Sequence, residues 1–403
     1  MIKKKLQSIL CKILTTCFIL MNTQCNESLT AEIPSYIEIV NFDYYGNLDS
    51  YDGYNTYPNE YQSTNITDAW VTMDGQALGV FELPCTIPIL SDGLHTFTIY
   101  PGIKVNGIAG NRIKYPFYSK FETAKKIFEE ADERLKFKIS KIILNGPDSE
   151  LKLTENTQPA ILTVSYAIYS VLKKDLNFDF KECKYFAGHS LGEYSALVCS
   201  ESLKFEDALY LLYERGKAMQ EAVPVGKGSM LAILGAKIKD ISDLLNSFKK
   251  KGVCEIANDN ADGQVIVSGD KDSVVSFQSL LKEKKIKSIP LKVSAPFHCS
   301  LMKKAAANME EKIKQTDFLK PKPNVISNVT AKPEEEVDAI KSLLVEQITS
   351  RVRWRESINY MINNKVDDFL EIGPGKVLSG LVKKINKEVK ISNVNSIEDI
   401  KND

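Results

Sequence analysis

The chain has 403 residues, a length that allows more than one domain. Its 52 Lys and Arg residues balance 52 Asp and Glu residues, and a net charge of zero excludes a nucleic-acid-binding footprint over the whole molecule. A hydrophobic content of 43% is ordinary for a soluble globular protein. The eight cysteines include no C-x-x-C pair, so we expect neither a metal site nor a disulfide framework.

The first 25 residues have the order of an export signal. Lysines at positions 3–5 precede a short apolar run at residues 13–21, and Cys25 follows that run. This order is typical of secretory and lipoprotein signals, and it allows envelope export with a lipid anchor at Cys25 or Cys17. The run is too short to span a bilayer, so no membrane span is expected. The opposite hypothesis, a cytoplasmic protein, stays open.

Residues 26–117 form a segment of distinct composition. They carry 11 acidic side chains but three basic ones, and ten of the 17 tyrosines lie between Tyr36 and Tyr118. Alternating runs such as AWVTMDG and HTFTIYPGI are separated by Asp-Gly and Pro-rich turns. The pattern predicts a small antiparallel β unit of unknown function.

From Phe121 onward the pattern changes to that of an α/β domain. The stretch FETAKKIFEEADERL predicts an amphipathic helix, and helices then alternate with strands. Within residues 227–292 the predicted order is strand, helix, strand, strand, helix, strand, which is typical of a ferredoxin-like unit. We therefore predict that this subdomain is inserted into an α/β body formed by residues 118–226 and 293–403.

Residues 187–198 read AGHSLGEYSALV and place a serine in an unusual frame. Gly188 lies two positions before Ser190, and Gly192 lies two positions after it. A crowded strand-to-helix turn needs residues without Cβ. The same G-x-S-x-G spacing is typical of a nucleophile elbow. The spacing by itself does not decide between a structural and a catalytic turn.

A serine nucleophile needs a base, and the chain has three histidines. His95 falls in the predicted β unit, where a surface position is expected. His189 adjoins Ser190, and neighbouring residues on a turn point in different directions. If the chain has a Ser–His pair, we therefore expect His298 to be the base.

Two further features have a structural and a functional interpretation. Arg215 lies in a largely apolar helical segment, where it is either salt-bridged or a guanidinium that binds a substrate carboxylate. The sequence GPGK at residues 373–376 follows a predicted strand. It lacks the P-loop spacing and predicts a βα turn.

Six separated segments carry a resemblance to a known family. In chain order they are NTQPAIL, GHSLGEYSALV, RGKAMQEAVP, NDNADGQVIVSG, VSAPFHCSLM and EIGPGKVLSGL. Together they resemble the malonyl-CoA:acyl carrier protein transacylases of fatty acid synthesis over about residues 118–403. The resemblance implies an α/β acyltransferase fold with a hydrolase-like parallel sheet.

The resemblance also implies a reaction and its residues. In that family a serine takes malonate from coenzyme A and passes it to the phosphopantetheine thiol of acyl carrier protein, without a cofactor. Ser190 is then the nucleophile, His298 the base, and Arg215 the group that grips the malonyl carboxylate. The Leu191 backbone N–H is implied to donate to the oxyanion.

Gln158 and Asn260 match positions that line the family's acyl pocket. The partners implied are malonyl-CoA and acyl carrier protein, with a monomeric enzyme in the cytoplasm.

The chain departs from the family pattern at two places. Where the family has V-Q-W, this chain has Val352-Arg353-Trp354, and the resemblance implies that the backbone carbonyl at position 353 steadies the histidine. The family opens with a strand followed by Gly-Gln-Gly-Ser-Gln, whose first Gln supplies an oxyanion donor, and this chain has no such motif. We therefore predict a fusion of two unrelated pieces that lacks the first strand of the enzyme.

Two alternative functions stay open at this point. A serine hydrolase of the α/β-hydrolase type also explains G-x-S-x-G, and it predicts an acidic third member between the serine and the histidine. An exported, catalytically impaired fusion protein explains the signal-like segment and the missing motif.

Overall fold

The computed structural model describes residues 35–39, 68–74, 76–83, 85–89, 95–102, 116–224, 226–249, 251–291, 293 and 295–400. The chain separates into two compact units, residues 1–102 and 103–403. The signal-like segment predicted at residues 1–25, with Cys17 and Cys25, lies outside the described residues. The boundaries predicted at residues 25 and 117 stay predictions.

The described part of the N-terminal unit consists of antiparallel strands. They are β1 (Ser35–Ile39), β2 (Asp68–Met73), β3 (Gln76–Glu82), β4 (Cys85–Ile89) and β5 (Phe97–Gly102). β1 pairs with β4, and a second sheet has the order β3-β2-β5. Alternating apolar residues of both sheets, among them Ala69 and Val71, are buried in one small cluster. The alternating runs of the sequence therefore form the strands that their pattern predicts.

The second unit contains fourteen described helices. They are α1 (Pro116–Lys120), α2 (Glu122–Leu135), α3 (Ile139–Asn145), α4 (Asp148–Leu151), α5 (Thr154–Lys174), α6 (Leu191–Cys199), α7 (Phe205–Ala222), α8 (Ile238–Ser247), α9 (Lys271–Glu283), α10 (Lys303–Gln315), α11 (Val337–Gln347), α12 (Trp354–Asn363), α13 (Val377–Ile385) and α14 (Ile397–Ile400). Among the described residues, none of these helices has the length and apolar character needed to cross a bilayer.

The largest hydrophobic cluster forms where α2, α5, α7 and α10 pack together. α2 contributes residues three and four positions apart, such as Ala124 and Phe128, so one stripe of the helix is buried. α7 crosses α5 at a close approach, because a Cβ on Gly216 would lie 2.4 Å from the Cα of Glu155. This crossing brings the neighbouring Arg215 of α7 beside Gln158 of α5.

The strands of the second unit belong to three sheets. They are β6 (Tyr185–Phe186), β7 (Gly228–Leu234), β8 (Cys254–Ala261), β9 (Gln264–Asp270), β10 (Lys287–Pro290), β11 (Asn324–Ile326), β12 (Pro333–Glu334), β13 (Asp368–Ile372) and β14 (Lys390–Val394). β6 runs parallel to β11, which also pairs antiparallel with β12. β13 and β14 form a separate parallel pair.

Residues 228–290 contain strand, helix, strand, strand, helix and strand, in the order that the sequence predicts. The four strands form one antiparallel sheet in the order β10-β7-β9-β8. Helices α8 and α9 bury apolar residues against this sheet, with Ile241 and Phe277 fully buried.

Strands β6 and β13 each have one ladder partner within the described residues. Phe186 of β6 and Leu370 of β13 pack against the large helical cluster. Tyr185 and Phe369, one position earlier in each strand, pack against the second cluster around Trp354. Since successive side chains of a strand point to opposite faces, β6 and β13 lie in one layer between the same two clusters. They are not paired with each other.

Candidate active site

Ser190 lies on a sharp turn between β6 and α6, as the sequence predicts. Its backbone angles are φ 53° and ψ −109°, a combination that costs a side-chain-bearing residue about 1–3 kcal/mol. A Cβ on Gly188 would lie 2.0 Å from the carbonyl oxygen of Gly192, whereas a Cβ on Gly192 would meet nothing within 4 Å. Crowding therefore explains the glycine at position 188 but not the one at position 192. The sequence pattern predicts crowding at both positions.

Asn328 holds this turn from the neighbouring strand. It lies two residues after β11 and is 1% exposed. Its Oδ1 accepts a hydrogen bond from the Ser190 backbone N–H at 2.7 Å, and its Nδ2 donates to the Gly188 carbonyl at 2.8 Å. Because β11 pairs with β6, these two bonds fix the unfavourable backbone conformation relative to the sheet.

Ser190 and His298 are in direct contact. Ser190 Oγ lies 2.7 Å from His298 Nε2, and His298 Nδ1 lies 2.9 Å from the backbone carbonyl oxygen of Gln347. A carbonyl can only accept, so Nδ1 carries the proton and Nε2 is free to accept from the serine hydroxyl. Burial, together with the positive charge of Arg215, lowers the pKa of His298 to about 3. The imidazole is therefore neutral and ready to act as a base.

The expectation that the carbonyl at position 353 steadies the histidine is wrong. The Gln347 carbonyl at the end of α11 accepts the Nδ1 proton. The Arg353 carbonyl instead accepts from the backbone N–H and the hydroxyl of Ser357, each at 2.9 Å, and so it belongs to the first turn of α12. The reason is that the last carbonyls of a helix have no intrahelical partner and can serve other groups.

His189 and His95 have other partners. His189 Nε2 lies 2.8 Å from Asn260 Oδ1, and its ring packs on Trp354 at 5.6 Å between centroids. In the N-terminal unit, His95 Nδ1 lies 2.6 Å from a carboxylate oxygen of Asp74. The prediction that neighbouring turn residues point in different directions is therefore confirmed for His189.

Arg215 is a buried guanidinium beside the serine, with 1% of its surface exposed. Its Nη2 donates to Ser190 Oγ at 3.1 Å and to Gln347 Oε1 at 2.8 Å, and its Nη1 donates to Gln158 Oε1 at 2.6 Å. All three acceptors are neutral, and its Nε has no partner within the described residues. No described carboxylate lies within ion-pair distance, and burial lowers the pKa of the guanidinium. The site therefore holds a buried positive charge without a bonded anion.

Gln347 links the groups around the serine. Its Oε1 accepts from Arg215, its backbone carbonyl accepts from His298, and its Nε2 donates to the Ser190 carbonyl at 3.1 Å. The same Nε2 donates to Glu193 Oε2 at 2.7 Å. One buried residue thus contacts the serine, the histidine and the arginine.

The remaining residues predicted from sequence lie close to this centre with different contacts. Gln158 contacts Arg215 directly, and its Nε2 lies 3.8 Å from Met219 Sδ. Asn260 is buried and bonds to His189 rather than to the serine. Leu191 is the first residue of α6, and its backbone N–H has no acceptor within the described residues. Among the described residues of the chain, no cluster of three or more His, Cys, Asp or Glu could hold a metal ion.

Comparison with known proteins identifies the relatives of this region. The acyl transferase domain family matches residues 117–402. A malonyl CoA-acyl carrier protein transacylase of Bacillus subtilis (strain 168) is 45% identical over 286 residues, which is 70% of this chain and 89% of the relative. The chain belongs to the malonyl CoA-acyl carrier protein transacylase family. The transacylase of Staphylococcus aureus (strain MRSA252) is 40% identical over 310 residues, covering 76% of this chain and 97% of the relative.

Solved transacylase structures resemble the same region. The acyl-carrier-protein-S-malonyltransferase of Bartonella henselae is 41% identical, with a TM-score of 0.69 over 71% of this chain and 91% of that one. A malonyl-transacylase in complex with a type II polyketide synthase acyl carrier protein is 37% identical, with a TM-score of 0.68 over 70% of this chain and 91% of that one. These similarities confirm the family and the mixed α/β fold.

Sequence reasoning missed three polar residues of this transacylase site. Gln347 falls on the buried stripe of α11 with Ile340 and Leu344, and a polar residue on such a stripe is the signal that could have found it. Glu193 lies in the first turn of the helix that follows the serine. Asn328 has no sequence signal, because it lies 138 residues after Ser190 and its role depends on the fold that brings the two residues together.

Replacing each glycine of the turn separately tests the close approach. We expect Gly188→Ala to lower the free energy of unfolding by about 1–3 kcal/mol, because an added Cβ overlaps backbone atoms that cannot move aside. Gly192→Ala is the matched control and should leave stability unchanged or raise it by up to about 1 kcal/mol, since the site is open and helical. Urea unfolding followed by circular dichroism measures both, and equal stabilities would contradict the packing described for the turn.

Proposed function

We propose that this chain transfers a malonyl group from malonyl-CoA to the phosphopantetheine thiol of acyl carrier protein, in fatty acid biosynthesis, through an acyl ester on Ser190. The observation that carries the proposal is the buried guanidinium of Arg215, 3.1 Å from the serine hydroxyl that contacts His298. Relatives of this chain are named for the same transfer. No cofactor takes part, since the acyl group moves between two thiols and one hydroxyl.

The reaction has two mirrored steps. In the first step, His298 Nε2 takes the Ser190 proton while Oγ attacks the thioester carbon. The C–S bond then breaks, and the coenzyme A sulfur takes the proton from His298. In the second, the phosphopantetheine thiol gives its proton to His298 and attacks the ester, and Ser190 Oγ leaves with that proton. The neutral form of His298, favoured by its lowered pKa, is the form that both steps need at their start.

Arg215 is the group that selects malonyl. A buried charge whose hydrogen bonds all go to neutral acceptors is poised to pair with an anion, and a guanidinium matches a carboxylate with two parallel bonds. Gln158 keeps the guanidinium in place and, with Asn260, forms part of the acyl pocket. Pairing with the malonyl carboxylate also relieves the repulsion that lowers the pKa of His298, which makes the imidazole a stronger base.

The backbone N–H of Leu191 is one oxyanion donor. It is one of the first N–H groups of α6, which have no partner inside the helix. The second donor of the family, the glutamine of Gly-Gln-Gly-Ser-Gln, has no counterpart in this sequence. We therefore propose that the enzyme is active but slow.

The finer assignments of the fold are part of the same proposal. We assign residues 227–292 to a ferredoxin-like subdomain, supported by the strand order β10-β7-β9-β8. We assign β6 and β11 to a hydrolase-like parallel sheet, supported by their parallel pairing. The catalytic unit acts as a monomer in the cytoplasm, where malonyl-CoA and acyl carrier protein are found. Export with a lipid anchor at Cys17 or Cys25 belongs to the alternative of an impaired fusion protein, which cell fractionation separates from this one.

The contacts of His298 disfavour an α/β-hydrolase. That alternative requires a carboxylate at the histidine nitrogen that faces away from the serine. In this site Nδ1 bonds instead to the Gln347 carbonyl oxygen at 2.9 Å.

Intact-mass spectrometry after mixing the full chain with malonyl-CoA tests the proposal. We expect one added malonyl group, absent in Ser190→Ala. His298→Ala should slow adduct formation by about 10²–10⁴-fold, the usual contribution of a positioned base. His95→Ala, at a histidine of the N-terminal unit, is the control and should react as the unmodified chain does. An adduct that persists on Ser190→Ala would disprove the assignment of the nucleophile.

The role of Arg215 predicts a change of selectivity. In Arg215→Ala the malonyl carboxylate would be buried without its partner, so malonyl transfer should fall by about a hundredfold or more, while acetyl transfer is kept or increased. Arg134→Ala removes an arginine that is 37% exposed and should leave the ratio of the two rates unchanged. Equal losses for both acyl groups would show that Arg215 has a structural role only.

The missing oxyanion donor predicts that a repaired chain is faster. Replacing residues 1–117 with a strand that ends in Gly-Gln-Gly-Ser-Gln should raise the transfer rate at least about tenfold, because one oxyanion donor contributes about 10²–10³-fold. The same replacement ending in Gly-Ala-Gly-Ser-Gln supplies a strand without the side-chain donor, and it should recover much less. If the chain as it stands is already as fast as the repaired one, another group supplies the donor.

A further inference from the structure

Glu193 is a buried carboxylate that does not touch the serine hydroxyl. It lies in the first turn of α6, three residues after Ser190, and is 4% exposed. Burying an ionised group is costly unless hydrogen bonds compensate it. Its hydrogen bonds therefore show what it is positioned for.

One oxygen of Glu193 receives two hydrogen bonds from the groups that hold the Ser190 turn. Oε2 accepts from the Asn328 backbone N–H at 3.0 Å and from Gln347 Nε2 at 2.7 Å. The Asn328 side chain in turn accepts from the Ser190 N–H, and Gln347 Nε2 donates to the Ser190 carbonyl. The Glu193 carboxylate is thus connected to the N–H of Ser190 through Asn328 and to the carbonyl of Ser190 through Gln347.

The carboxylate also determines which way the Gln347 amide faces. An amide has a donor end and an acceptor end, whereas an ionised carboxylate can only accept. With the NH2 group towards Glu193, Oε1 faces the Arg215 guanidinium and accepts from it at 2.8 Å. The reversed amide would place NH2 against the guanidinium and an oxygen against Glu193, and both contacts would be unfavourable.

We propose that Glu193 is a positioning residue for the acyl transfer: its carboxylate orients Gln347 and holds Asn328, and through them it sets the Ser190 turn and the guanidinium of Arg215. This proposal rests on the proposed Ser190 acyl-enzyme. Glu193 itself contacts neither the substrate nor the reacting atoms.

The charge state of Glu193 gives the proposal a distinct signature. Burial raises the pKa of Glu193 to about 7, while the Gln347 and Asn328 hydrogen bonds and the charge of Arg215 act in the opposite direction. The other ionisable groups that interact with it are Glu334, which raises its pKa, and the phenol of Tyr194. The carboxylate is therefore ionised above about pH 7 and gains a proton below it. A protonated Glu193 accepts more weakly, so the turn is held less firmly at lower pH.

Single-turnover acylation of the full chain by malonyl-CoA, followed by intact mass between pH 5.5 and 8.5, tests this proposal. For the unmodified chain we expect the acylation rate constant to fall as the pH drops through about 7, although His298 stays neutral over this range. Glu193→Gln keeps a neutral acceptor oxygen that does not titrate, so its rate constant should be independent of pH and close to that of the unmodified chain at low pH. Glu193→Ala removes the acceptor and should lower the rate constant about 10²-fold, a loss typical of a misplaced reacting group.

Asp132→Asn is the matched control. Asp132 is also a buried acid, and it accepts from the backbone N–H and hydroxyl of Ser140 at 2.8 and 2.6 Å, in helices α2 and α3. Its replacement should leave the pH profile of acylation unchanged. The same profile in Glu193→Gln and in the unmodified chain, or full activity in Glu193→Ala, would overturn the proposal.

A second probe separates this inference from the proposed function. A fluorophosphonate reacts with a positioned serine as the Oγ–P bond forms, the P–F bond breaks, and the serine proton passes to His298. Its rate should show the same dependence on Glu193 and pH, because it needs the turn but no malonyl group. Reaction that depends on Glu193 without any malonyl adduct would reject malonyl transfer and keep the positioning role. A fluorophosphonate rate that does not depend on Glu193 would reject the positioning role itself. Where Glu193→Ala does not fold, the comparison of Glu193→Gln with the unmodified chain still decides this.

Discussion

The site depends on a serine that its neighbours hold in an unfavourable backbone conformation. The φ of 53° at Ser190 raises Oγ towards His298, and the cost of that conformation has to be met by neighbours. Asn328 binds the N–H side of the residue and Gln347 binds its carbonyl. Both come from segments far along the chain, so the turn has its catalytic shape only when the second unit has folded.

A second constraint is a positive charge buried beside this turn. Burial and the charge of Arg215 together lower the pKa of His298. The hydrogen bonds of Arg215 itself go to Gln158, Gln347 and Ser190, none of which carries a charge. A carboxylate-bearing acyl group therefore completes the electrostatics of the site in a way that a neutral acyl group does not. In the proposed reaction this charge selects the substrate and, together with burial, sets the basicity of the histidine.

Much of this site could be predicted from local patterns, and the rest required the fold. Ser190 follows from its glycine frame, and His298 follows because the chain has three histidines, two of which were assigned elsewhere. Gln347 and Asn328 act 157 and 138 residues away from the serine. The buried stripe of α11 could have singled out Gln347, but no local pattern identifies the partners of either residue. The expectation for Arg353 was wrong for the same reason, because it depended on which helix end points at the histidine.

Helices and strands of the second unit were predicted by their periodicity, but the division of the parallel strands was not. β6 and β13 lie between the same two hydrophobic clusters and are not hydrogen-bonded to each other. Burial in the helical cluster does not depend on pairing between these strands, because α2, α5, α7 and α10 pack against one another. The Ser–His contact lies at the end of β6, whose ladder partner within the described residues is β11. The helical core and the Ser–His contact are therefore both present without pairing between β6 and β13.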